Sequence, residues 1–241
     1  MVTNDETSNE DAADSRRVIV LSDGVFAVAI TLLVLTIQVP NLPPTISLIV
    51  LNTQLQRSLL ALWPTALGCI ISFLVVGAYW RAHRTIFRHV KHYDTVFLTL
   101  NLLLLLSVSF VPLPTGVIGR YPGSWVAVVF YALILALTGL MTFLLWWYAC
   151  SAYRLIDAYL QKRVIRYYEI RFLIPPVFFL LSIGLAFVNN FLPAISGPNL
   201  AEYSWVLIAV ALPLFERLYW RRTKLVFQSL QKDAREDPPS A

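Results

Sequence analysis

Two polar residues near the start of a long apolar run pose the first chemical question. Residues 17–39 are apolar almost throughout, yet they carry Ser22 and Asp23. An Asp inside a hydrocarbon span costs roughly 2.5–3.5 kcal/mol, so one that is kept there needs a partner and a purpose. Few polar residues share its depth in the other apolar runs: Trp80 and His83 end one, and Asn101 lies near the start of another. Arg17 precedes Asp23 by six residues, too far for ideal i, i+4 pairing, although a long side chain can lean toward it. A buried carboxyl group accepting from an indole, an imidazole and a guanidinium would be satisfied. Ser22 can donate to Asp23 or to nearby backbone. Together these residues predict a structural polar network that locks the first helix to its neighbours.

The same run has a second pattern. On a helix, Gly24, Val28, Thr31, Leu35 and Gln38 share one stripe, with Leu32 at its border. Such a stripe is either an ordinary helix seam, with Gly24 permitting close approach, or the lining of a narrow apolar pore with one hydroxyl rung at Thr31. Hydrophobic constrictions gate by dewetting. One helix cannot enclose a pore, so the second reading requires several copies around an axis.

Other chemistries find little support. No G-x-S-x-G elbow, H-E-x-x-H or pair of carboxylates on one span is present, so the residues do not point to an enzyme. His83, His89 and His92 fall in one basic segment, where Arg88 and Lys91 oppose a metal cation. We therefore expect no metal site and a solvated stretch facing lipid headgroups. Cys69 and Cys150 sit singly in apolar runs and read as packing residues. Nothing indicates a cofactor.

These residues are positioned by a chain that is 58% hydrophobic and 14% charged, with mean hydropathy +0.66. Soluble domains are about 45–50% apolar and about 25% charged, so the class is a polytopic membrane protein. Residues 1–15 hold five acidic side chains and no basic ones, unlike a signal peptide, and read as a disordered tail. The first span is followed by Pro40, Pro43 and Pro44. Residues 45–57 suit either an interfacial segment or an extension of the next helix. The second span covers about 59–80, with Trp63 and Trp80 placed like an aromatic belt. The third covers about 95–113 and stops at Pro112, and the fourth covers about 124–149. Residues 151–171 are basic and amphipathic. The fifth span, about 172–192, accommodates Pro175 and Pro176 in its first turn. The sixth runs about 203–220, with Pro213 a possible kink site.

Charge tests the topology. Of the 19 Lys and Arg, 17 fall on one side of such a six-span arrangement, and only Arg57 and Arg120 on the other. Basic residues collect on the cytoplasmic side, so both termini are expected there. The net charge of +5 thus follows the membrane rather than nucleic acid. The expected architecture is all-α, a polytopic membrane protein with six transmembrane helices. A tail at 1–15 precedes a six-helix transmembrane unit at 16–224, and a charged tail at 225–241 follows. No internal duplication is evident.

Several motifs then occur in order: Arg17-x-x-x-Leu21-Ser22-Asp23-Gly24-Val25-Phe26-Ala27 with Thr31-Leu32-Leu33; Tyr79-Trp80-x-x-His83-Arg84-x-x-Phe87; Asn101 leading Leu102 to Leu106; and Ser109-Phe110-x-Pro112-x-Pro114-Thr115. Over residues 17–115 the chain resembles the transmembrane protein 175 potassium-channel family, in its prokaryotic single-repeat form. The resemblance implies a K⁺-preferring cation channel in a bacterial plasma membrane, a homotetramer whose first helices line the pore. It implies a constriction at Val28, Leu32 and Leu35, with Thr31 the hydroxyl position. It assigns Arg17, Ser22 and Asp23, with Trp80, His83 and Asn101, to the polar contacts. The chain has no T-V-G-Y-G filter, so selectivity over Na⁺ is expected to be modest. Leu21 stands where the motif usually has Phe, and Val28 where a bulkier Ile or Leu is common. The second of these moves the narrowest point toward Leu32 or Leu35.

Two other functions compete. In a secondary transporter, Asp23 would bind H⁺ or Na⁺. Such sites lie at the midplane on broken helices, whereas Asp23 lies near one end of its span. A membrane scaffold would pass no ions at all.

Overall fold

The structure, a computed structural model, describes residues 4–41, 47–151, 155, 156, 162–191 and 205. The chain divides into units Met1–Ala201 and Glu202–Ala241. The second unit contains the expected sixth span, which lies outside the described residues apart from Trp205. The first unit holds all seven described α-helices.

Its described backbone is helical apart from short connections and one isolated antiparallel bridge between Val90 and Ile156. The helices are α1 (Asn4–Leu32), α2 (Leu48–Ala61), α3 (Trp63–His89), α4 (Thr95–Phe110), α5 (Pro112–Arg120), α6 (Trp125–Cys150) and α7 (Lys162–Phe191). Among the described residues, five stretches are long and apolar enough to cross a membrane. Helix α1 begins at Asn4, inside the acidic stretch. After Leu32 it tightens into a 3-10 turn, Leu33–Thr36.

Prolines shape the connections in ways that local sequence does not anticipate. The third span does not stop at Pro112. Pro112 begins α5, where its missing N–H leaves no gap, because Val111 N already donates to Val108 O at 3.1 Å. Of residues 45–57, those from Leu48 onward form an approach to the second span: α2 leads through Leu62 directly into α3, with Pro64 in the first turn of α3. The start of α4 is set by Asp94, whose Oδ1 accepts from Phe97 N at 2.8 Å, an N-cap at the point where the charged residues end.

Pro175 and Pro176 are not in a first turn. Helix α7 starts at Lys162, so both lie in its interior. The basic stretch before them is thus partly helix, because Tyr168 and Phe172 pack on Trp146, which is fully buried. Helices α6 and α7 form the most extensive pair among the described helices, and Gly139 makes room for Pro176. A Cβ at Gly139 would meet Pro176 Cδ at 2.8 Å, Tyr79 Oη at 3.0 Å and Pro176 N at 3.1 Å. None of these atoms can swing aside. Gly139→Ala is expected to destabilise the fold by about 1–3 kcal/mol, as overpacking does. Denaturant unfolding in detergent measures it, and unchanged stability would contradict this packing.

Candidate pore helix and its polar contacts

Helix α1 has two faces. Phe26, Ala29 and Leu33 are buried along with Ser22, against a surface made chiefly by α3, α4 and α5. The opposite face carries Gly24, Val28, Thr31, Leu32, Leu35 and Gln38, all exposed. The stripe is therefore not a seam between the described helices. The 3-10 turn alters its geometry. At three residues per turn, side chains i and i+3 eclipse, so Leu35 falls in line with Leu32, itself one turn beyond Val28. Val28, Leu32 and Leu35 form one apolar line, with Thr31 beside it. The Thr31 hydroxyl donates to Val28 O at 2.9 Å, and its oxygen keeps acceptor capacity.

On the buried side, polar groups connect three helices. Trp80 Nε1 of α3 donates to Asp23 Oδ1 at 2.7 Å. Asn101 Nδ2 of α4 donates to Ser22 Oγ at 3.1 Å, and Ser22 Oγ donates to Val18 O at 2.8 Å. His83 Nε2 lies 2.9 Å from Asn101 Oδ1. Because the Asn101 amide faces Ser22, its carbonyl oxygen must accept, which puts the proton on His83 Nε2. Ser22, His83 and Asn101 are buried, so each of these bonds has little competition from water. Phe26 and Phe87 close on the His83 ring, with centroids at 5.5 and 4.3 Å. Arg17, expected in the same cluster, is exposed six residues before Asp23. Trp80 is half-buried against Asp23 rather than a plain belt residue, and the Arg84 guanidinium lies 5.1 Å from its ring centroid.

A second buried cluster has no counterpart among the expectations from sequence. Ser72 Oγ lies 3.0 Å from Thr115 Oγ1 and 2.9 Å from Tyr131 Oη, joining α3, α5 and α6. Thr115 donates onward to Val111 O, and Tyr79 Oη donates to Leu135 O at 2.8 Å. A lone Ser, Thr or Tyr in an apolar helix carries no pairing signal of its own. The Pro114-Thr115 motif is the nearest hint.

At the C-terminal end of the stripe, a cleft of about 860 Å³ is bounded by Leu32, Leu35, Gln38, Thr65, Gly116 and Arg120. Arg120 Nη1 donates to Gln38 Oε1 at 3.3 Å across it. Among the described residues, no three His, Cys, Asp or Glu are grouped to hold a metal ion. His89 is not simply solvated: it is half-buried, with its ring against Trp146 and Tyr168 and Nδ1 2.8 Å from Thr85 O.

Apolar spans tied together by buried polar pairs define an integral, polytopic, all-α membrane protein. The family described as endosomal/lysosomal potassium channel TMEM175 matches residues 17–112. A potassium channel of Streptomyces collinus is 36% identical over 194 residues, covering 79% of this chain and 91% of that protein. The chain belongs to the TMEM175 family, a family of channels rather than enzymes. A potassium channel of Chamaesiphon minutus is 35% identical over 183 residues, covering 75% of this chain and 88% of that one. The fold agrees with the crystal structure of a lysosomal potassium-selective channel TMEM175 homolog from Chamaesiphon minutus. The TM-score is 0.69 at 31% identity, over 84% of this chain and 97% of that one.

Proposed function

We infer that the protein is a potassium-permeable channel in which four copies surround a pore lined by α1. The observation that carries this reading is the division of α1. Phe26, Ala29 and Leu33 are buried in the subunit, while the apolar line Val28, Leu32 and Leu35 is left uncovered. In this reading these side chains form the constriction, and Thr31 offers the one hydroxyl ring. Ser22, Asp23, Trp80, His83 and Asn101, with Arg17 below them, hold the helix at a fixed rotation. Rings of Leu and Val replace little of an ion's hydration shell, so K⁺ passes partly hydrated. Na⁺, whose shell is costlier to shed, passes less well, and selectivity is modest. With a sixth span at 203–220, both termini lie in the cytoplasm, at the ends of tails at 1–15 and 225–241.

The test that separates a channel from an ion-coupled transporter is Asp23→Asn in proteoliposomes. The amide keeps an oxygen for the Trp80 indole, and a neutral acceptor is roughly half as strong as a charged one. K⁺ flux is expected to stay within about fivefold of wild type, a change near 1 kcal/mol. Saturable, counter-transported flux abolished by Asp23→Asn would overturn the channel reading.

A further inference from the structure

One exposed face of α3 changes character along its length. Ile70, Phe73 and Leu74 are 52, 51 and 55% exposed. Arg81, Arg84 and Arg88, also exposed, continue the same face at spacings of three and four residues. Between the two groups stands Gly77, and a Cβ there would find nothing within 4 Å. The face is thus an apolar strip, a shallow notch and a row of guanidinium groups, in that order along the helix. That order matches an amphiphile lying along the helix: hydrocarbon against Ile70 to Leu74, and an anionic head among the arginines.

The geometry points to a binding site for an anionic phospholipid on α3, with its phosphate held by Arg84 and Arg88 and an acyl chain on Ile70, Phe73 and Leu74. Guanidinium groups pair with phosphate oxygens through two parallel N–H donors, which a diffuse attraction to a charged surface does not require. The charge is complementary, since the end of α3 that carries these groups has no acidic side chain from Arg81 to His92. Arg84 is also the group stacked on Trp80, whose indole donates to Asp23 of α1. A headgroup on Arg84 is therefore two contacts from the pore helix. The site does not depend on the conduction reading, because its test counts lipids rather than ions.

The experiment is native mass spectrometry of the purified full chain in nonionic detergent. The protein is titrated with dioleoyl-phosphatidylglycerol or dioleoyl-phosphatidylcholine, which share acyl chains and differ in charge. Wild type is expected to retain the glycerol lipid about tenfold more tightly. Arg84→Gln with Arg88→Gln should reduce it to the choline level. Lys162→Gln with Arg163→Gln, an exposed basic pair at the start of α7, should leave the preference intact. Equal retention of both lipids by wild type, or equal losses from the two double variants, would overturn the site. So would displacement of the lipid by soluble glycerol phosphate, or a double variant that changed the number of subunits instead of the lipids. If the arginine variant does not fold, Ile70→Asn with Leu74→Asn tests the acyl contact, and retention as in wild type would contradict it.

Discussion

Leu35→Ala is expected to raise K⁺ flux roughly tenfold in proteoliposomes, equivalent to ~1.4 kcal/mol off the barrier, and to bring the K⁺/Na⁺ ratio toward one. Leu35 is 72% exposed, on the helix face that its own chain leaves uncovered. Its alignment with Leu32 through the 3-10 turn would thicken the proposed apolar ring there. Truncation removes three carbons from each copy, which widens the passage and lowers the cost of keeping it wet. Val28→Ala removes fewer atoms at a ring already made of smaller side chains, so its effect should be weaker in the same direction. If neither substitution changes flux or ratio, α1 does not line the path.

The second large effect is on stability. Asn101→Leu removes the acceptor of His83 Nε2 and the donor to Ser22 Oγ at once. The imidazole is then left at a position 1% exposed with nothing to receive its proton. Orphaning a buried polar group costs about 1–3 kcal/mol in soluble proteins, and single interhelical bonds in membranes average about 0.6. Together these suggest a loss of about 2 kcal/mol. Ser22→Ala should cost less, because the Ser22 hydroxyl hydrogen is spent locally on Val18 O. Unfolding of both variants by denaturing detergent would reveal the order. A loss for Ser22→Ala equal to that for Asn101→Leu would contradict a network centred on Asn101.

The polar network was legible in part, because lipid leaves buried polar groups few choices: the indole expected on Asp23 donates to it, whereas the imidazole expected there bonds Asn101 instead. With Asp23 and Ser22 in one span, only Trp80, His83 and Asn101 stood at a matching depth, and hydrogen bonds join these side chains. The two faces of α1 were likewise readable as periodicity, but which face the chain itself covers was not. That depends on where α3, α4 and α5 pack. The prolines misled for a common reason: Pro can end a helix, begin one or sit inside one, and only the partner decides. Pro112 begins α5 because Val111 has already taken the free carbonyl. Pro175 and Pro176 sit inside α7, and Gly139, far earlier in the chain, leaves a notch for Pro176. The Ser72–Thr115–Tyr131 cluster stayed hidden because hydroxyls are ordinary in apolar helices and become informative only as a set.

The most direct test of the central claim is flux of K⁺, Cs⁺ and Na⁺ through the purified wild-type protein in vesicles, with each ion supplied alone. The account predicts non-saturating flux of K⁺ and Cs⁺, with Na⁺ slower by a modest factor. No flux of any of the three ions, or Na⁺ passing as readily as K⁺, would contradict it.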